Sequence, residues 1–456
     1  MMTSWRIKNF KAWQDTGSIK LAPLTVFFGE NSAGKSSLGQ LLLTLKQSAN
    51  AAAAQPTLNF GDGQSLIDLG SFAQNLHCGQ LTEPLQFELR WRLPEPVALQ
   101  GVAPQQSLSL DELCLTVSVI ADQAQQPHLQ SMCYSGFQDG IEQLSVIYCS
   151  DSKDQLQVSI KQPQALDYSV ALAAAAGPEQ FYRLPETQGQ EAAFLATLAV
   201  QTEHVLADFQ ALAALRAAPQ RRYAWNGETP ASVGRAGESA IAAVLAASAQ
   251  QRKLQFAVDQ PELDFQQGIA YWLQQMGVAT DFAIRPVADS AHDYQVQLKS
   301  HADAAEVSLA DLGFGVSQLL PVIVQAFYAP PHATVWLEQP EIHLHSQVQA
   351  GLADMLIAAV QAKEGGQARH QQIIVESHSE HFLNRLQRRI AEGVISHQDV
   401  ALYFCSRDGT QAQIESLAID TFGEIAHWPE NLFGDEMTDI AARAMAAVQR
   451  KRQQNN

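Results

Sequence analysis

The spacing of hydrophobic positions changes several times along the chain. "SWRIKNFKAW" alternates apolar and polar residues well enough for a strand, and "IKLAPLTVFFG" predicts a second strand after a proline break. A short loop follows, and "SSLGQLLLTLKQSA" then places its leucines at helical spacing. Residues 50–80 are rich in turn formers, as in "NFGDGQSLIDLG". From about 85 to 163, short alternating runs such as "LQFELRWRL" and "LCLTVSVIA" predict an antiparallel sheet. Residues 190–215 and 236–256 read as helices, as does "FQQGIAYWLQQMG", and strands follow in "FAIRPV" and "YQVQLKS". Towards the C-terminus, strands at 333–338, 371–376 and 400–405 alternate with helices at 316–328, 346–363 and 380–392. That alternation predicts a parallel sheet wound with helices.

The loop after the second strand carries the chemistry. Gly29, Glu30, Asn31, Ser32, Ala33, Gly34, Lys35 and Ser36 form a full GxxxxGK[ST] match. The glycines let the backbone curl so that successive N–H groups face phosphate oxygens. The following helix, which begins with Ser36 and Ser37, presents its positive end to the same phosphates. Lys35 would reach the β/γ-phosphates, and the Ser36 hydroxyl would ligate Mg²⁺. Such a loop needs an acid at a neighbouring strand end to position the metal, and "TVWLE" supplies Glu338. About 300 residues separate Lys35 from Glu338, so a long insertion is expected between two halves of one nucleotide fold.

Composition narrows the class. The chain of 456 residues is 46% hydrophobic, enough for a large core and two or three lobes. A formal charge of −18 repels nucleic acid on average. The densest basic clusters, "APQRRYAW", "NRLQRRI" and the tail "QRKRQQNN", are read as solvated faces or helix ends. No apolar run is long enough for a signal peptide or membrane span, and five scattered cysteines have no metal or disulfide spacing, so a cytoplasmic location is expected.

Four stretches together resemble the ABC-type ATPases related to the SMC proteins and the OLD-family nucleases. These are the N-terminal strands with the phosphate loop (Walker A), "DLGFGVSQLLPVI" (signature motif), "VWLEQPEIHLH" (Walker B) and "IIVESHSEHFLNRL" (switch segment). The match is closest to a bacterial AAA/ABC-like subgroup that ends in a small domain of unknown function. "LRAAPQRRYAWNGETPASVGRAGE" (215–238) and "HWPENLFGDEMTDI" (427–440) carry that part of the likeness. The implied fold is an α/β P-loop NTPase of ABC/SMC-like type, with a mixed sheet, an antiparallel β-subdomain and a long insertion between Walker A and the signature. The expected organisation is an N-terminal ATPase part over 1–80, a β-subdomain with helical insertion over 81–200 and a helical/β insertion over 201–304. A C-terminal ATPase part over 305–405 and a small domain over 406–456 complete it.

The resemblance also implies a mechanism. Two subunits would close head to tail around ATP, with Gly313, Gly315, Ser317 and Gln318 of one meeting the γ-phosphate held by the other. Gly313 departs from the usual signature, where most relatives have Ser. His378 would contact the γ-phosphate. Gln339 stands where most relatives carry a catalytic Glu and cannot take a proton, though it can orient a water. Glu341 or Glu338 is left to act as base, and slow hydrolysis is expected. His343 and His345 are read as packing or loop-fixing residues. Relatives of this kind often control a separate, neighbouring-encoded effector in anti-phage defence. The alternative is a DNA repair or DNA-end-processing ATPase of SMC or OLD type. Against it, the C-terminal part has no paired-Asp nuclease strand, and the insertion shows no sustained heptads.

Overall fold

The computed structural model describes residues 1–50, 57–103, 106–150, 155–160, 168–173, 180–184, 191–258, 260–288, 290, 292–429, 443, 445–446 and 450. Two sheets organise these residues. The central one has six strands in the order Phe209–Leu212, Thr334–Glu338, Gln372–Glu376, Leu24–Gly29, Val400–Asp408 and Gln411–Ser416. Its first five strands are parallel, and the last is antiparallel to its neighbour. The parallel strands are short apolar runs because both of their faces are covered.

Alternation within Leu24–Gly29 sorts the two faces. Phe27 joins one core with Trp336, Ile374 and Tyr403, and helix α1 (Lys35–Ala49) covers that face with Leu38, Leu41, Leu42 and Leu45. Phe27 stacks between Trp336 and Tyr403, at ring-centroid distances of 5.7 and 5.4 Å. Val26 and Phe28 point to the opposite core. There the sheet meets α3 (Ala240–Ala249), α4 (Phe265–Gln275), α5 (Phe314–Tyr328), α6 (Ser346–Gln361) and α7 (Glu380–Ala391). Helix α2 (Glu191–Ala207) packs on the α1 side.

The expected antiparallel sheet is present and larger than its sequence segment. Strands Leu85–Ala103, Gln106–Ala121, Pro127–Gln138, Ile141–Cys149, Gln155–Ile160 and Tyr168–Ala173 pair in chain order. The N-terminal Met2–Phe10 strand joins their edge in register with Leu85–Ala103, so residues from the first 80 complete this sheet. Val400–Asp408 runs through residue 405 and pairs with Gln411–Ser416, which places 406–416 inside the central sheet. Most of the segment beyond residue 429 lies outside the described residues.

Two expected helices are shorter than their patterns. The one expected to reach 215 ends at Ala207, and Phe209–Leu212 is the edge strand of the central sheet. Four residues satisfy either period, and the decision is tertiary. Lys46 Nζ donates to the carbonyls of Ala207 (2.7 Å) and Phe209 (2.6 Å), and parallel pairing with Thr334–Glu338 follows at once. The helix expected over 236–256 is confined to Ala240–Ala249, with Lys253–Leu254 as a short strand beyond it.

Candidate functional site

The C-terminal ends of Leu24–Gly29, Gln372–Glu376 and Thr334–Glu338 meet at one edge of the central sheet, where open α/β sheets bind ligands. Gly29 has φ +138°, and a Cβ there would lie 1.9 Å from the Cys405 carbonyl oxygen, so only glycine fits beside the neighbouring strand. Ser32 (φ +63°) and Gly34 (φ +87°) complete the curl, and Gly34 caps α1. Glu30 N–H donates to Cys405 O at 3.1 Å, and Ala33 is fully buried beneath the loop. Trp13 Nε1 donates to Ser37 Oγ (2.9 Å) and the Gly34 carbonyl (3.1 Å), and the Ser37 hydroxyl itself returns to Gly34 O. The loop is thus held from outside by an indole.

Lys35 is folded inward. Its Nζ donates to the carbonyls of Gly29 (3.0 Å) and Glu30 (2.6 Å). Burial lowers its pKa, opposed by Glu376, Cys405, Glu341 and Glu30. Among the described residues, the structure therefore surrounds this ammonium with carboxylates from several segments.

The strand-end and turn carboxylates at this edge differ in their partners. Glu338 Oε1 accepts from Arg235 Nη2 at 2.7 Å. Glu341 Oε1 accepts the His378 backbone N–H at 2.6 Å, and burial raises its pKa. Glu341 is therefore tied to the switch segment through one oxygen, while its Oε2 is buried without a hydrogen-bond partner. Glu376 Oε1 accepts from the Ser36 hydroxyl at 2.9 Å, while its Oε2 is buried without a hydrogen-bond partner. Burial pushes Glu376 up to about 7, against the pull of Ser36 and Lys35. Gln339 follows Glu338 in the left-handed region (φ +41°), its N–H bound to the Glu376 carbonyl at 2.8 Å. His378 is pushed down to about 4, first by burial and then by Lys35, so its imidazole is neutral at pH 7.

The signature segment starts α5 beside the turn that follows Thr334–Glu338. Gly313 and Phe314 are exposed, and the Phe314 ring meets His343 edge-on at 5.0 Å. A Cβ on Gly315 would lie 2.8 Å from the His343 carbonyl oxygen. Ser317 and Gln318 are buried, and the Ser317 hydroxyl donates to Phe314 O at 2.7 Å, so both face inward. His345 caps α6 by accepting Gln347 N–H. The two histidines thus pack and cap.

Sequence reasoning missed three residues here. Glu376 lies within the quoted switch segment but was eclipsed by His378; its signal was a carboxylate ending an apolar strand. Arg216 and Arg235 lie in the 215–238 stretch, noted only for its likeness. Arg216 Nη2 donates to the carbonyls of Glu338 (3.0 Å) and Gln339 (3.3 Å), with Nε and Nη1 buried and unpaired. Burial lowers Arg216 to about 10, with Glu341 and Glu338 opposing. Four bases of two of the clusters are ion-paired: Arg221 with Asp311, Arg385 and Arg389 with Asp354, and Arg388 with Glu392.

A cavity of about 830 Å³ sits at the opposite, N-terminal end of the central strands, lined among others by Lys20, Pro23, Arg92, Glu112 and Val400. It is separate from the phosphate loop. No described helix is long and apolar enough to cross a membrane.

Residues 252–383 match the AAA ATPase domain, and residues 395–442 match a protein family of unknown function, DUF3696. The first match includes Gly313, Glu338 and His378 and leaves out the Gly29–Ser36 loop. A search of curated proteins finds no match. Among solved structures, the SMC head domain from Thermotoga maritima aligns at 10% identity over 92% of this chain and 99% of its own, with a TM-score of 0.39. The SmcHead bound to the C-winged helix domain of ScpA aligns at 10% identity over 91% and 98%, also at 0.39. An Smc head domain with an extended coiled coil, bound to the C-terminal domain of ScpA derived from Pyrococcus furiosus, aligns at 11% identity over 91% and 96%, again at 0.39.

Proposed function

We propose that this chain binds ATP with Mg²⁺, hydrolyses it slowly, and works as a switch that closes head to tail with a second copy to control a separate protein effector. The observation that carries the nucleotide reading is the convergence at one sheet edge of the Gly29–Gly34 curl, the Lys35 ammonium and the Ser36 hydroxyl, with carboxylates on the adjoining strands. Backbone N–H groups of the loop and the start of α1 would bind the phosphates, and Lys35 would leave its own loop carbonyls to reach them. Magnesium, when bound, would screen phosphate charge and be held by Ser36 with a strand-end carboxylate. The unpaired, buried Glu376 Oε2 fits that donor set. Among the described residues no three His, Cys, Asp or Glu side chains form a self-sufficient metal cage, which suits a cation held largely through the nucleotide.

Slow turnover follows from Gln339, whose amide orients a water but does not take its proton. Pairing is supported by the exposed Gly313 and Phe314 at the start of α5. The effector and any anti-phage role rest on the sequence resemblance alone. The ion-paired basic clusters and the charge of −18 give the DNA-acting alternative no support.

The test is single-turnover ATP hydrolysis with Mg²⁺ for wild type and Lys35→Ala, with particle mass tracked in the same samples. Slow hydrolysis and an ATP-dependent doubling of mass, both abolished in Lys35→Ala, are expected. A Lys35→Ala protein that behaves like wild type would sink the assignment.

A further inference from the structure

The strand register separates two acids that the sequence leaves indistinguishable. Glu338 stands opposite Glu376, and Glu376 stands opposite Phe27, two residues before Gly29. Gln372–Glu376 lies between the other two strands, so the acid beside the phosphate-loop strand is Glu376, and Glu338 is one strand further away.

Their bonding agrees with that placement. Glu376 is 4% exposed, with one oxygen on the Ser36 hydroxyl at 2.9 Å and the other without a partner. Glu338 carries an arginine on its carboxylate and a second arginine on its carbonyl. A serine hydroxyl has one proton and two lone pairs, so Ser36 can donate to Glu376 and ligate a cation at the same time. A buried carboxylate oxygen without a donor is a group that native structures seldom leave so. A water in the shell of a divalent cation on Ser36 would supply that donor.

We propose that Glu376 is the acid that holds the metal shell against the phosphate loop, and that Glu338 serves instead as the anchor for Arg235. This assignment rests on the ATP-binding reading. A purely structural Glu376 would need only to accept the Ser36 proton, which a glutamine oxygen does equally well. Its charge bears on Lys35 as well as on a bound metal, and the metal titration of Glu376→Gln reads the second of these.

The experiment measures binding. A fluorescent ATP analogue is titrated in EDTA, and Mn²⁺ is then titrated by electron paramagnetic resonance into the nucleotide complex. Wild type, Glu376→Gln and Glu338→Gln are compared, with a thermal melt of each. Glu376→Gln is expected to lose about 10- to 100-fold in Mn²⁺ affinity, the range for groups that orient metal ligands. Glu338→Gln is expected to lose less than about threefold in Mn²⁺ affinity, well below that range. Unchanged Mn²⁺ affinity in Glu376→Gln, or the larger loss in Glu338→Gln, overturns the assignment. Should Glu376→Gln melt too low to titrate, Glu376→Asp carries the test. A carboxylate one methylene shorter should weaken Mn²⁺ binding severalfold, and wild-type affinity there overturns the proposal. A wild type that binds no nucleotide with or without metal removes the underlying reading first, an outcome distinct from either.

Discussion

Arg235 Nη2 lies 2.7 Å from Glu338 Oε1, so the strand-end acid that the sequence offers as a metal ligand is held by a cation of its own chain. Both side chains are mostly buried, at 25% and 12% exposure. Removing one member of such a pair leaves the other charge with poor solvation. Arg235→Met is therefore expected to lower unfolding stability by about 2 kcal/mol, below the full buried-pair value because Arg235 keeps some solvent. The double variant Arg235→Met with Glu338→Gln should recover part of that loss. Urea unfolding of the four proteins in a double-mutant cycle measures it. Strict additivity would mean that the ion pair contributes nothing.

Gln339→Glu isolates one chemical difference. Gln339 has φ +41°, and a glutamate of the same shape meets the same backbone demand. The variant changes a water-orienting amide into a group that accepts a proton. Single-turnover hydrolysis is expected to rise by about 10²-fold, the lower end for a placed general base, and any ATP-dependent dimer should shorten in lifetime. An unchanged rate would move the base to another residue and remove Gln339 as the cause of slow turnover.

How much of this was legible beforehand varies from residue to residue. The curl between Leu24–Gly29 and α1 was readable because its glycines, Lys35 and Ser36 are contiguous, and local geometry demands those residue types in that order. The parallel strands were readable because each is a compact apolar run between helical patterns. Phe209–Leu212 was not, since four residues fit both periods until pairing with Thr334–Glu338 decides. Glu376 and Glu338 look alike in sequence, each an acid ending an apolar strand; only strand order shows which one reaches Ser36. Arg216 and Arg235 lie more than 100 residues before Glu338, and no pattern in sequence joins groups that distant.

Gly315→Ala tests the signature segment. The new methyl would meet the His343 carbonyl oxygen at 2.8 Å, a backbone atom that yields only if the turn or the start of α5 moves. The phosphate loop is elsewhere on the sheet edge. Metal-free nucleotide affinity should stay within about twofold of wild type, while ATP-dependent association falls tenfold or more, about 1.4 kcal/mol. Fluorescent-nucleotide titration and mass measurement at matched concentrations separate the two. Equal loss of both would place this segment in the chain's own nucleotide site.

His332 gives the fold a dependence on pH. The His332 and His370 rings stack at 5.5 Å between centroids, and the His332 backbone N–H donates to the Arg369 carbonyl at 2.8 Å. Burial lowers the His332 pKa, helped by His370 and the N-terminal amino group and opposed by Asp208. The unfolded histidine titrates near 6.5. As pH falls through about 6.5, the unfolded chain takes up this proton before the folded one, so stability drops with falling pH and is complete above that value. His332 sits at φ +64°, where asparagine is among the better-tolerated residues, so His332→Asn removes the titration without forcing the backbone. Urea midpoints measured from about pH 7.5 down to about pH 5.5 should fall in wild type and fall less in the variant. The difference should be modest, because the ring is partly solvated. Superimposable slopes would show that His332 is not a source of the pH dependence.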